Sequence, residues 1–212
     1  PRYIRAPRMA KNEPRAGEVR PGGRTREVKQ SVAAAVLELI KNGHVHFSYN
    51  ELAALSGVHK TTLYRRWPQH IDLLREAIEI HNQRFRIKTG KAWHENAEAI
   101  VRSLADFLSE PTEIAINRAL LANPQAAESL ISVEYWRPIQ DRLDRVVIEA
   151  QTAGELPDDI DPSVVIKTLV SPLILSTTLN FGPESTEELV TQLTRLARSY
   201  ANRAEQVPLK KI

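Results

Sequence analysis

The sequence predicts an all-α protein in which an N-terminal helical unit is followed by a larger helical domain. Apolar residues recur at steps of three and four in the segments after residue 24, and no strand-like alternation competes with them. The charge is divided as well: residues 1–90 carry 17 Lys and Arg against 8 Asp and Glu, whereas residues 91–212 carry 12 against 18. This division is typical of a basic nucleic-acid reader joined to a separate module.

Composition excludes several classes of protein. The 212 residues, 42% of them apolar, can form one large or two small domains with a filled core. The absence of cysteine excludes a disulfide framework, a zinc finger and a cysteine nucleophile. We find no apolar run of membrane-spanning length and no secretory signal. We therefore expect a soluble cytoplasmic protein without a membrane partner.

Residues 1–23 are rich in arginine, proline and glycine and have no apolar period, so we expect a disordered basic arm. Such an arm could enter a neighbouring minor groove, or it could be a solvated tail that adds only non-specific affinity. A first helix is predicted over residues 25–42, with Val32, Val36 and Ile40 on its apolar face. His44 and His46 follow it, and an ordinary solvated loop is favoured over a metal pair there.

Residues 48–67 predict two short helices around a glycine. Ser48 and Glu51 form a capping box, Gly57 allows the left-handed turn, and Pro68 stops the second helix. Helices this short need tertiary burial. The side chains expected to supply it are Leu52, Leu55, Val58, Leu63 and Trp67.

This layout is that of a helix-turn-helix, whose second helix lies in the major groove of double-stranded DNA. The outward face of the second helix carries hydrogen-bonding side chains suited to phosphates and base edges. No acid occurs between Leu52 and His70. The alternative is a surface helical hairpin with a chance basic face.

The run from Gly57 to Pro68, with Leu73 and Leu74 beyond it, resembles the signature of the tetracycline-repressor (TetR) family of transcriptional regulators. The resemblance covers residues 25 to about 78. It departs after the proline, where this family often has a serine before a lysine or acid, and this chain has Gln69 and a mostly neutral His70. The predicted DNA contacts are Arg24, Thr25, Ser48, Tyr49, His59, Lys60, Thr61, Thr62, Tyr64, Arg65 and His70.

A fourth helix is predicted over residues 71–88. At 1.5 Å per residue it spans about 27 Å and alone joins the two parts of the chain. Further helices are expected over residues 93–108, 113–122, 135–153, 162–181 and 184–204, and another opens at Asn123 and Pro124. The predicted organisation is a basic arm (1–23), a helix-turn-helix domain (24–70), a connecting helix (71–90) and a helical effector-binding and dimerisation domain (91–212).

The resemblance implies that a small apolar effector binds between the C-terminal helices and moves the DNA readers. The apolar side chains of these helices are also consistent with an ordinary core. The residues proposed for the effector are Phe107, Asn117, Leu121, Tyr135, Trp136, Ile139, Gln140, Leu143, Leu173 and Thr177.

The last two helices carry two apolar stripes, which the resemblance assigns to a homodimer contact made with the symmetry mate. Alternatively, both stripes face the core of their own protomer. The residues proposed for this interface are Val165, Leu169, Leu173, Phe181, Leu189, Leu193, Leu196 and Tyr200.

No nucleophile with a partner base and no metal-ligand spacing is evident, so we expect neither an enzyme nor a cofactor or metal. The sequence thus predicts an all-α regulator, with an N-terminal three-helix DNA-binding unit and a C-terminal ligand-binding and dimerisation domain. We expect a repressor that its effector releases from an inverted-repeat operator. The alternatives are a DNA-associated helical protein without an effector and a helical enzyme with a DNA-binding unit.

Overall fold

The computed structural model describes residues 23–44, 46–122, 136–180 and 185–201. All regular structure in these ranges is helical, which confirms the predicted fold class. The basic arm before residue 23, the helix expected at Asn123 and Pro124, and the chain beyond residue 201 lie outside the described residues. The helices are α1 (Gly23–Lys41), α2 (Tyr49–Ser56), α3 (Lys60–Arg66), α4 (His70–Asn82), α5 (Trp93–Leu108), α6 (Pro111–Ala122), α7 (Arg137–Thr152), α8 (Pro162–Leu179) and α9 (Thr186–Ser199).

The first four helices close around one hydrophobic cluster. Leu52, Leu63 and Trp67 are buried in it as predicted, and Val58 packs at its edge. The expectation for Leu55 is wrong, because its side chain is 56% exposed. The inward positions of α2 are Leu52 and Ser56, one turn apart, and the Ser56 hydroxyl donates to the Leu52 carbonyl at 2.6 Å. With Leu52 and Ser56 on the inward side, Leu55 lies on the outward side of α2.

Helix α4 is shorter than predicted, since it ends at Asn82 and spans about 20 Å. Beyond it the backbone turns so that Phe85 enters the second hydrophobic cluster. Arg142 of α7 holds this turn by donating to the Asn82 carbonyl at 3.2 Å and to the Phe85 carbonyl at 3.1 Å. A cationic side chain from a distant helix thus satisfies carbonyls that the helix end leaves open.

A second cluster combines α5, α7, α8 and α9, with the buried Trp93 indole donating to the Ala197 carbonyl at 2.9 Å. Helix α6 belongs to both halves: it packs against α1 and α8, and its Ile116 lies in the N-terminal cluster. The expectation that α4 alone joins the two parts is therefore wrong. The predicted division at residues 70 and 90 stays a prediction.

Helix α8 is apolar on two sides. By length and composition it could cross a membrane, contrary to the expectation that the chain has no such run. Lys167 is the only charged residue of this helix. One face packs in the core through Val165 and Leu169, and apolar residues also occur on the other face. A core helix passes the same test, so a single such helix is weak evidence for a membrane span.

Candidate nucleic-acid interface

The capping box predicted for α2 is present. The Ser48 amide donates to a Glu51 carboxylate oxygen at 2.7 Å, and the Glu51 amide donates to the Ser48 hydroxyl oxygen at 3.2 Å. The bond from the Ser48 amide, followed by a bond that the Ser48 hydroxyl donates to the same carboxylate, lowers the pKa of Glu51. The Ser48 hydroxyl also donates to Glu51 at 2.8 Å, so Ser48 serves the helix start.

The turn between α2 and α3 depends on Gly57. Its φ of 68° is in the left-handed region that favours glycine, and its amide donates to the Ala53 carbonyl at 3.0 Å. Ser31 of α1 holds the same turn by donating to the Ser56 carbonyl at 2.6 Å. The direction of α3 is thus fixed by a backbone conformation and by a bond from α1.

Two tyrosines join the start of α2 to α3. The Tyr49 and Tyr64 rings stack with centroids 4.1 Å apart, and the Tyr49 hydroxyl donates to the Trp67 carbonyl at 2.6 Å. Partial burial, followed by the neighbouring Tyr64 and Asp72, raises the pKa of Tyr49. The Lys60 ammonium lies 5.6 Å from the Tyr64 ring centroid. Tyr49 therefore supports the two side chains that project further out.

The outward face of α3 is polar, basic and open. His59, Lys60, Thr61, Tyr64 and Arg65 are exposed, whereas Thr62 is half-buried. Neighbouring helices fix the edges of this face: Arg66 donates to the Thr25 hydroxyl of α1 at 3.2 Å, and the Trp67 indole donates to Glu76 of α4 at 3.0 Å. The side chain of Arg24 lies outside the described residues.

His70 does not join this face. Its ring lies 4.2 Å from that of Phe47, and its Nε2 atom is buried without a hydrogen-bond partner. Burial, with a smaller contribution from His46, lowers the pKa of His70 and favours the neutral ring. We therefore leave His70 out of the proposed DNA contacts. The sequence could not show that Phe47 would cover it.

Comparison with known proteins agrees with this geometry. Residues 89–204, more than half of the chain, match the family model described as the tetracyclin repressor-like C-terminal domain. The chain belongs to the TetR family. A segment of 54 residues is 39% identical to the DNA-binding transcriptional repressor TetR of Mycobacteroides abscessus, and this match spans 26% of the chain and 28% of that repressor.

Solved TetR-family structures share the fold of the chain. A TetR transcriptional regulator from Agrobacterium tumefaciens superposes with a TM-score of 0.61 at 18% identity, over 82% of this chain and 98% of the other. For a TetR-family regulator from Pseudomonas syringae the TM-score is 0.58 at 17% identity, over 86% and 98%. At these identities the likeness shows the fold alone.

The structure brings only some of the residues proposed for the effector together in this TetR-family chain. Phe107, Ile139, Leu143 and Leu173 are buried in the second cluster, and Trp136 packs against both clusters. The polar members have protein partners: Asn117 donates to Glu113 at 3.2 Å, Gln140 to Asp144 at 2.7 Å, and Thr177 to the Leu173 carbonyl at 2.9 Å. Leu121 is exposed, and Tyr135 lies outside the described residues.

An open cleft of about 500 Å³ occurs at a different place, between the start of α5 and the end of α9. Trp93, Glu155, Arg195 and Ser199 are among its lining residues. None of the residues proposed for the effector lines it.

Most of the proposed interface stripes belong to the core of the single chain. Val165, Leu169, Leu173 and Leu193 are buried there, so their assignment to a dimer contact is wrong. Leu189 and Tyr200 pack against the same cluster while half-buried, Leu196 is exposed, and Phe181 lies outside the described residues.

Another apolar row lies on the surface of this TetR-family chain and was not predicted as a whole from the sequence. It consists of Val164, Leu175 and Leu179 on α8, which are 46–54% exposed; Leu196 on α9 is exposed as well. Thr168 and Ser171 occupy the helical positions between them. Their spacing along α8 could have revealed a second apolar face.

Proposed function

We propose that this chain is a homodimeric, cytoplasmic transcriptional repressor that binds an inverted-repeat operator and releases it when a small apolar effector binds. The exposed basic face of α3 carries the proposal, because five hydrogen-bonding side chains point outward from a helix whose backbone is fixed by α1, α2 and α4. The C-terminal domain, over residues 89–204, matches the model of a regulator family. The proposal includes no catalytic activity.

The test of DNA binding is selection from a random library of duplexes. The purified protein is expected to enrich an inverted repeat whose half-sites lie about one helical turn or more apart. The same selection with Lys60→Ala and Arg65→Ala combined serves as the control. Failure of the unaltered protein to enrich any sequence would contradict the proposal.

For the dimer we propose the row Val164, Leu175, Leu179 and Leu196 as the contact between protomers. An exposed apolar row on the longest apolar helix gains free energy when a second copy covers it, at about 25 cal/mol per Å² of buried apolar surface. Two α8–α9 pairs related by a twofold axis would meet through the same residues, as a closed dimer requires.

For the effector we propose a site at the apolar region of Phe107, Trp136 and Leu143. The Phe107 ring lies 5.2 Å from the ring of His81 at the end of α4, and Trp136 also packs against the N-terminal cluster, to which Ile116 of α6 belongs. A ligand can move the reader only if it binds one arrangement better than the other.

Trp136 gives the measurement, because its half-buried indole lies against this region. A library of apolar compounds is screened by tryptophan fluorescence, and each hit is titrated with and without the selected duplex. A coupling of about 1–3 kcal/mol would weaken both ligands 5- to 150-fold, by the same factor in each direction. Equal effector affinity in both titrations would show that the site does not regulate, and would favour the protein without an effector.

A further inference from the structure

A buried polar contact crosses the junction between the DNA reader and the C-terminal helices. The Nε2 atom of His81, in the last turn of α4, lies 2.9 Å from a carboxylate oxygen of Glu113, in the first turn of α6. Both side chains have 0% exposure. The other Glu113 oxygen accepts from Asn117 at 3.2 Å. A carboxylate, an imidazole and an amide thus form one buried chain between the two helices.

The surroundings of this chain are mostly apolar. The Phe107 ring of α5 lies 5.2 Å from the His81 ring, and Phe85 packs edge-on against Phe107 at 5.4 Å. The charged groups close to the same junction have partners elsewhere: Arg84 pairs with Glu110 at 3.3 Å on the surface, and Arg142 donates to backbone carbonyls. The polar contact is therefore separated from solvent.

Such a contact adds little to the free energy of unfolding, but it favours one arrangement of the two helices over others. Taking an imidazole and a carboxylate out of water costs free energy, and well-packed apolar residues of similar size would often stabilise a protein equally well. The hydrogen bond forms only in one register, however, because sliding α6 by a single residue moves Glu113 about 1.5 Å along the helix axis. An apolar contact would tolerate that shift.

We propose that His81, Glu113 and Asn117 lock the register of α6 against the end of α4, and so hold the DNA reader in the single orientation that binds DNA. The inference rests on the proposed function, since it assigns a positioning role within a DNA-binding dimer. An effector that disturbs Phe107 would reach this lock directly through the His81 ring. Without the lock, part of the population would leave the binding orientation, and the apparent affinity would fall by that fraction.

The main test replaces the whole polar chain by apolar residues of similar size, His81→Leu, Glu113→Met and Asn117→Leu in one variant. We expect a urea midpoint close to that of the unaltered protein, because the three groups that bond to one another are removed together. Its affinity for the duplex selected by the unaltered protein is expected to fall at least fivefold. The matched control is Arg84→Ala with Glu110→Ala, which removes the exposed ion pair at the same junction and is expected to change affinity less than twofold.

A second measurement reports the orientation itself. The chain has no cysteine, so Asn50→Cys on the exposed surface of α2 allows a single spin label on each reader. Pulsed electron spin resonance is expected to give a narrow distance distribution between the two labels in the dimer. The same label in the apolar variant is expected to give a broad one. A residue that only fills space would leave the width unchanged.

Glu113→Gln keeps the experiment decisive if the apolar variant does not fold. Glutamine retains the length of the side chain and an acceptor oxygen, so near-normal DNA affinity is expected, whereas Glu113→Met alone is expected to lose it. Equal affinities of these two variants would overturn the lock, as would a folded apolar variant that binds DNA normally. If the unaltered protein selects no DNA, the proposed function fails instead, and the spin-label widths alone decide the lock.

Discussion

The Tyr49 ring lies almost parallel to the Tyr64 ring, with an interplanar angle of 20° and centroids 4.1 Å apart. The stack bridges the first residue of α2 and the exposed surface of α3, and the hydroxyl of Tyr49 fixes it to the Trp67 carbonyl. The outermost aromatic side chain of the reader is thus positioned by a residue that is itself half-buried.

This relationship predicts different results for two substitutions of Tyr49. Tyr49→Phe keeps the stack and loses the hydroxyl bond, so it is expected to cost about 1 kcal/mol of unfolding free energy and to leave DNA affinity intact. Tyr49→Leu removes the stack and is expected to weaken DNA binding by about 0.5–1.5 kcal/mol, which is about two- to thirteenfold. Urea unfolding and fluorescence anisotropy measure the two effects. Equal DNA affinity in both variants would contradict the positioning role.

Lys60 is expected to contact DNA. If it contacts a phosphate, Lys60→Ala will reduce the slope of log affinity against log salt concentration by about 0.9. If it contacts a base, the variant will instead lose about 1–3 kcal/mol of discrimination at one position. Lys91→Ala, an exposed lysine beyond the reader, is the control and is expected to change neither quantity. No change in slope or in discrimination for Lys60→Ala would remove Lys60 from the interface.

Gly57→Ala is expected to destabilise the protein by about 1–2 kcal/mol. The space around a new Cβ is open at this position, so the penalty arises from the left-handed φ alone. Gly23→Ala is the matched control, because its Cβ would also meet open space, but in a helix. Unfolding in urea compares the two variants, and equal midpoints would show that the turn relaxes without cost.

The stability of the reader is expected to decrease below the ordinary histidine pKa of 6.5. Burial lowers the pKa of His70 in the folded protein, so the unfolded chain takes up the proton first as the pH falls. The contribution of His70 is therefore complete above pH 6.5 and is lost as the pH falls toward the folded-state pKa. Urea unfolding at pH 7.5 and 5.5 is compared with that of His70→Gln, and equal pH dependence in the two proteins would refute this assignment.

Charge substitutions distinguish the exposed apolar row of α8 from the buried face of α9. Leu175→Glu is expected to give a folded monomer, since it places an unpaired charge in the proposed contact. Leu193→Glu is expected to unfold the chain, because Leu193 is buried in the protomer. Sedimentation and circular dichroism measure both results, with exposed Ile148→Glu on α7 as the control. A Leu175→Glu variant that remains dimeric would locate the contact elsewhere.

The helix-turn-helix could be predicted closely because its signals are local. Ser48, Glu51 and Gly57 act through bonds and dihedral angles within a few residues, so their spacing carries the information. Leu55 was misplaced because an eight-residue helix has too few residues to define its inward side. The inward side of α2 is determined by its packing against the other helices of the reader, where Leu52 is buried and Leu55 is exposed.

The end of α4 and the burial of the interface stripes were not predicted, because they involve contacts between residues that lie far apart in the sequence. The periodicity through His81 and Phe85 continues past Asn82, but the helix ends there, and the Asn82 carbonyl accepts a hydrogen bond from Arg142, 60 residues later in the chain. Val165 and Leu193 each belong to an apolar stripe at helical spacing, which suggested an interface, yet each is covered by helices of the same protomer. A pattern identifies an apolar face but does not identify the surface that covers it.

The second apolar face of α8 also affects the behaviour of the protein at different concentrations. If a second copy covers this face, each protomer is stabilised by mass action, and the melting temperature will rise with protein concentration. A newly synthesised chain that has not met its partner would expose Leu175 and Leu179 to chaperones and proteases. When synthesis of the chain is reduced, the amount of protein in the cell would then fall by a larger factor than the rate of synthesis.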